Sequence, residues 1–205
     1  MIVSRTGHAS GTLPLPLGVP VVTITQLTMT ELEAGLDQIR QAPRDFGRLE
    51  LIVRRPSVGA REILESGEFD VTHGLSGDTW IVRGSTRTPD GLRHPDMQLN
   101  VMSARAIALV AQSRERWALA GDQLYVDLDL SEQNLPAWTR LGLGSAIIEV
   151  TDQPHTGCAK FVQRFGLDAM KFVNSPVGRS LRLRGLNARV VQPGTARPGD
   201  TVRKL

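Results

Sequence analysis

The chain has almost no cysteine: Cys158 is the only one in 205 residues. A single thiol cannot close an intramolecular disulfide, so a small disulfide-stapled secreted scaffold is excluded. Aromatic residues make up only 4% of the chain, which leaves few rings to stack on bases. The formal charge of +3 is likewise too mild to point to nucleic acid. No run approaches the roughly eighteen apolar residues a membrane span requires. The stretch "MIVSRTGHASG" turns polar almost at once and does not read as a secretory signal. The expectation is a cytoplasmic protein with neither a membrane nor a nucleic acid as partner. Tandem repeats and low-complexity tracts are missing as well.

What is present suits a globular domain with a sizeable core. Hydrophobic residues account for 40% and charged residues for 22%, both ordinary values. With aromatics scarce, the core falls to Val, Leu, Ile and Ala. Twenty glycines and twelve prolines favour many turns and short strands.

Residues 1–20, ending "GTLPLPLGVP", read as an extended arm, and "VVTITQL" (21–27) as a short strand. "TMTELEAGLDQIRQAP" predicts a helix capped by Thr28 or Thr30, with Leu32, Leu36 and Ile39 on one face. Residues 1–48 are thus an N-terminal extension packed on a main domain, 49–205. That domain opens with short β runs at "LELIVRRP" (49–56), "REILESGEFD" and "DTWIVRG" (78–84). "HPDMQLNVM" leads through Ser103, a plausible cap, into a helix over "ARAIALVAQSR". "DQLYVDLDL" (122–130) alternates Leu124, Val126, Leu128 and Leu130 with polar partners, the clearest period of two in the chain. "GSAIIEVTDQP" reads as a strand. "CAKFVQRFGLDAMKFV" reads as an amphipathic helix interrupted near Gly166. Two last strands flank a Pro-Gly turn. The pattern predicts an α+β, mainly β fold: a mixed β-barrel with a few peripheral helices.

The chemistry centres on "DQPHTGCAKF" (152–161). A lone cysteine is often an inert buried hydrophobe. Cys158, however, follows a strand, stands behind Gly157 at a helix start, and has His155 and Lys160 close in sequence. That setting suits a nucleophilic thiolate, a persulfide carrier or a soft-metal ligand. His155 and Cys158 have the spacing of a two-ligand metal clip. Zinc needs about four ligands, and only His8, His73 and His94 remain, so a structural zinc site is not expected. No acid partner marks a hydrolase triad. Between Pro154 and Arg189 lie Lys160, Arg164, Lys171, Arg179, Arg182, Arg184 and Arg189, opposed only by Asp168. That run is either a solvated face or a pocket for a small phosphorylated or otherwise anionic ligand. Asp78 in "THGLSGD" and Asn134 in "SEQNL" fit turn-closing roles, and Arg184 in "RGLN" fits an anion contact or a hairpin corner.

Taken in order, "RRPSVGA" (54–60), "GLSGDTW" (74–80), "DLSEQNL" (129–135), "LGSAIIEVTDQPHTGCAKF" (143–161) and "LRGLNARVV" (183–191) resemble the MOSC domain. That family is named for the C-terminal region of molybdenum cofactor sulfurases. The match runs from about Leu49 to Val202. The resemblance implies a barrel-like fold with a functional cysteine, which falls on Cys158. That sulfur would ligate the molybdenum of a bound pterin cofactor (molybdopterin) in reduction of N-hydroxylated compounds. Alternatively, it would carry persulfide sulfur received from a separate cysteine desulfurase. Lys160, Arg55 and Arg184 become candidates for the cofactor phosphate. Asp78, Asn134, His155 and Thr156 become candidates for shaping the pocket. The implied partners are the anionic cofactor and either an electron-donor protein or the desulfurase. The 205 residues leave no space for the pyridoxal-phosphate domain of the larger sulfurases.

Overall fold

The alternation in "DQLYVDLDL" builds a strand whose two faces enter two different cores. Leu124 and Val126 join one apolar cluster and Tyr125 between them joins another, and all three are fully buried. The structure, a computed structural model, describes residues 25–205. The expected arm and most of the expected strand at 21–27 lie outside the described residues.

Numbered in chain order, the strands are β1 (Phe46–Arg54), β2 (Glu62–Leu64), β3 (Gly67–Asp70), β4 (Gly74–Leu75), β5 (Leu99–Ser103) and β6 (Leu124–Asp127). They continue as β7 (Arg140–Leu143), β8 (Ala146–Val150), β9 (Leu186–Gln192), β10 (Gly194–Ala196) and β11 (Thr201–Lys204). Seven of them close a ring in the order β1-β6-β5-β9-β8-β7-β11, with β11 pairing back onto β1. Closure leaves no open sheet edge in the ring. Every pairing in it is antiparallel except β5–β6, which is parallel and so needs a crossover. Helix α3 (Ala104–Ala111), capped by Ser103, provides it. β2 extends the ring as a hairpin on β1, and β10, β3 and β4 form a small separate sheet. The mixed barrel with a few helices expected from the sequence is the fold.

The barrel interior holds Leu49, Ile52, Leu99, Val101, Leu124 and Ile148. Leu49 and Ile52 are three apart, which a strict period of two forbids. A bulge at Glu50 resolves this, since Leu49 pairs with Val126 and Leu51 already with Tyr125. The second core fills the space between barrel and helices. α1 (Met29–Ala34), α2 (Leu36–Arg40), α4 (Ala159–Phe165), α5 (Leu167–Asn174) and α6 (Pro176–Ser180) complete the helices. Leu32, Ile39, Ile107, Phe161, Phe165 and Phe172 pack there with Tyr125. Among the described residues, no helix is long and apolar enough to cross a membrane.

Several elements differ from expectation. The helix expected from Thr28 onward is two short ones broken at Gly35, where a Cβ would stand 2.5 Å from Leu109 Cδ2. Thr28 does cap the first, in a reciprocal pair with Glu31. "DTWIVRG" is no strand: Asp78 accepts the Trp80 N–H and starts a 3-10 turn over Thr79–Val82. "REILESGEFD" divides into β2 and β3. β7 is additional, and the C-terminus carries three strands, not two. Gly166, with φ 95°, separates α4 from α5 where an interruption was expected.

Gly185 joins Arg184 to β9 at φ 104°, and a Cβ there would stand 2.2 Å from the Val101 carbonyl. Gly185→Ala is therefore expected to lower stability by at least about 2 kcal/mol, from left-handed strain and the clash together. Urea unfolding monitored by Trp fluorescence would measure it. An unchanged midpoint would mean that β9 does not need this close approach to β5.

Candidate functional site

Five chain segments meet beside the barrel: the end of β1, the start of β6, the stretch before β9, the loop after β8, and the start of α4. Each supplies a charged or reactive side chain. Asp122, just before β6, is fully buried. Its carboxylate accepts from Arg184 Nη1 at 2.6 and 2.9 Å and lies 2.8 Å from His155 Nε2. Burial alone would raise the Asp122 pKa. Arg184 and His155 overcome that and hold it at about 2. An ionised carboxylate only accepts, so His155 donates its Nε2–H and leaves Nδ1 as the bare nitrogen. Burial, with Arg184 nearby, pushes the imidazole pKa below 6.5 against the pull of Asp122, so His155 is neutral at pH 7.

A second buried pair stands beside the first. Arg55 grips Asp78 in a fork, Nε–Oδ2 2.9 Å and Nη2–Oδ1 2.8 Å. Its Nη1 donates to Asn100 Oδ1 and to the Gly121 carbonyl. From Asn100 the bonds continue to Asn187 Oδ1 at 2.7 Å, and from Asn187 Nδ2 to the Gln153 carbonyl at 3.1 Å. A buried polar chain thus runs from the end of β1 to the cysteine loop. That loop is pinned at three more places. Arg87 holds the Pro154 carbonyl, Asp122 holds His155, and the Asn174 side chain pairs with both the N–H and the C=O of Gly157 at 2.9 and 3.1 Å. Residues 152–157, which have no regular secondary structure, are fixed by side chains from four other parts of the fold.

Cys158 follows immediately and is exposed. This excludes the inert buried residue that a lone cysteine suggests. The thiol lines a cavity of ≈ 220 Å³ shared by Arg55, Arg61, Arg83, Lys160, Arg164 and Arg184. Arg55 and Arg184 are neutralised by Asp78 and Asp122. The other four have no carboxylate within 4 Å among the described residues. Gly121 lies between two of them: a Cβ there would stand 3.2 Å from Arg61 Nη2 and 3.6 Å from Arg164 Nη1. Burial first, then the like charges of Arg164 and Arg55, pushes the Arg61 pKa down.

The residues singled out in the sequence divide accordingly. Cys158, Lys160, Arg55, Arg184 and His155 line one cavity. Asp78 stands behind Arg55 and touches the cavity only through it. Thr156 is exposed and lines a different cavity. Asn134 lines neither. It is buried and ties the Arg44 and Asp129 carbonyls together through Nδ2, which is the turn-closing role and not a pocket-shaping one. Asp122, Arg61, Arg83, Asn100 and Asn174 were missed. Arg164 lay inside the basic run and Asn187 inside the "LRGLNARVV" motif, so both were within reach.

No protein-family model matches the sequence, and no curated protein does either. Among solved structures, the YuaD protein of Bacillus subtilis is similar at 18% identity and a TM-score of 0.55, over 77% of this chain and 94% of that one. YiiM from Escherichia coli gives 20% identity and a TM-score of 0.49 over 77% and 69%. At such identities the likeness to YuaD is one of fold, and it supports a MOSC-like barrel.

Asp122→Asn is expected to cost about 3–5 kcal/mol at pH 7, because the Arg184 guanidinium is left buried without its counter-charge. The pH dependence follows from two depressed pKa values. The His155 contribution is complete above pH 6.5 and declines as the pH falls below it, because the unfolded imidazole then takes up a proton that the folded one refuses. The Asp122 contribution is complete above its unfolded value of 3.8 and is lost as the pH falls through about 2. Urea midpoints from pH 8 to pH 2 should show both declines, and Asp122→Asn should lessen the lower one. Glu149, its burial outweighed by Arg189 and Arg140, which lower its pKa, also contributes there.

Proposed function

We propose that this chain is a stand-alone MOSC domain protein in which the Cys158 thiolate ligates the molybdenum of a pterin cofactor, serving reduction of N-hydroxylated compounds. The observation that carries this reading is an exposed thiol on the wall of a cavity with four cations that have no carboxylate within 4 Å among the described residues. A thiolate is a fitting donor for a soft metal, and guanidinium groups fit phosphate oxygens. Among the described residues, no three His, Cys, Asp or Glu side chains cluster to hold a bare metal ion. A metal whose other ligands come from its own organic cofactor suits that arrangement. The residues therefore fit the group.

In this reading Cys158 holds the metal, and Arg61, Arg164, Arg83 and Lys160 hold the phosphate. Arg55 and Arg184 spend most of their donors on Asp78, Asp122 and carbonyls, so they set the shape and potential of the wall. When bound, the cofactor supplies two-electron redox chemistry at the metal. The chain's own contribution is to keep the thiol in place through the Gly157–Asn174 clamp and to present neutral His155 nearby. His155 Nδ1 is available to accept or relay a proton at the cavity wall.

The exposure of Cys158 also favours a second reading, a persulfide carrier. Its thiolate would attack the outer sulfur of a desulfurase persulfide and release the desulfurase thiolate.

Metal analysis and intact mass of protein purified from its own host test both. Near-stoichiometric molybdenum that is lost in Cys158→Ala is the expected result. Arg61→Gln with Arg164→Gln should weaken cofactor retention about tenfold or more, each change deleting a charge-assisted bond. A labile mass increment of one sulfur atom on Cys158 without molybdenum would shift the assignment to the carrier. Neither signal would sink both readings.

A further inference from the structure

His155 and Arg184 also belong to a second, larger cavity of ≈ 390 Å³, which the chemistry at Cys158 does not use. Three arginines face it: Arg179, Arg182 and Arg184. Arg182 and Arg179 have no carboxylate within 4 Å among the described residues. Arg182 is also half-buried, gives only Nη1 to the Leu135 carbonyl at 2.6 Å, and sits at φ 48°, a left-handed conformation uncommon for a residue with a side chain. Arg184 adds an independent observation. Its Nη1 and Nη2 are taken by Asp122 and the Ala120 carbonyl, while its Nε is buried with no partner, alone among the described side chains in this. The residue is only 7% exposed. A buried N–H left unmet is expensive unless a partner reaches it, and Arg184 is a residue of this cavity's lining.

The lining also limits what the ligand can be. Glu132 and Asp152 are exposed members of the same cavity, so a multiply charged anion would meet like charge there. Guanidinium forks match the planar geometry of a carboxylate. Val173 and Leu186 add an apolar wall, and the volume exceeds what a lone oxyanion fills. We propose that this cavity binds a small organic monocarboxylate, held by Arg182, Arg179 and the free Nε of Arg184, with its apolar part against Val173 and Leu186. The site stands independently of what Cys158 carries.

The test is a titration of the full chain with sodium acetate, sodium butyrate and sodium sulfate at matched ionic strength. The assigned arginine Nε–Hε signals would be followed by two-dimensional NMR. Saturable shifts at Arg184, Arg182 and Arg179 are expected, with butyrate tighter than acetate and sulfate weaker than both. R182G deletes the guanidinium and tolerates φ 48°, so the fold should persist while butyrate affinity falls about tenfold. C158A and R61A, which alter only the other cavity, should leave butyrate binding unchanged. If R182G loses its dispersed spectrum, R179A, at an exposed position, serves in its place. The proposal is overturned by an absence of saturation through the millimolar range, or by sulfate binding more tightly than the carboxylates. It is equally overturned if the shifts survive the arginine substitution or disappear in C158A or R61A.

Discussion

One buried carboxylate, Asp122, holds the site together. It is wholly out of solvent; both its oxygens accept from the Arg184 guanidinium, and Oδ1 also accepts from the His155 imidazole. A buried charge of this kind is tolerable only when its partners are in place, so folding fixes all three at once. Through Arg184 it anchors the entry to β9, and through His155 it anchors the loop that leads to Cys158. Arg184 is held further by packing, its guanidinium lying 5.1 Å over the Phe161 ring of α4. The barrel, the cysteine loop and the helix after the cysteine are thus linked through a single ion cluster.

The second organising feature is an imbalance of charge. Two of the cations around Cys158 are matched by buried acids and, among the described residues, four are not. The matched pairs stabilise the framework. Of the unmatched ones, Arg61 and Arg164 repel each other, which costs stability. Conflicts of this kind between folding and local electrostatics concentrate at functional sites in proteins generally. The second cavity shows the same signature in another form: a strained Arg182 and an unmet Arg184 nitrogen.

Much of the barrel was legible because its physics is local. The alternation of Leu124, Val126, Leu128 and Leu130, the Ser103 cap and the break at Gly166 each follow from neighbouring residues alone. "DTWIVRG" was misread because strand-like composition lost to one long-range need. Asp78 must reach both Arg55 and the Trp80 N–H, and that geometry winds the chain into a 3-10 turn. The candidate site was half legible. Cys158 announced itself by its loop, and Arg55 and Arg184 came with their motifs. Asp122 did not, because nothing in "AGDQLY" tells a buried acid from a surface one. Arg61 and Arg164 are 103 positions apart in sequence (164 minus 61) and meet only around Gly121. Asn134 misled for the opposite reason: a turn-closing side chain and a pocket side chain look alike until the fold places them.

The central claim is that Cys158 is an exposed thiol in an uncompensated positive field. The most direct measurement compares its alkylation by iodoacetate, which is anionic, with that by iodoacetamide, which is neutral, at low and high salt. A thiol in such a field should react with iodoacetate faster, relative to iodoacetamide, than a free cysteine does. The advantage should shrink as salt screens the arginines. A ratio equal to that of free cysteine, and unmoved by salt, would contradict the account.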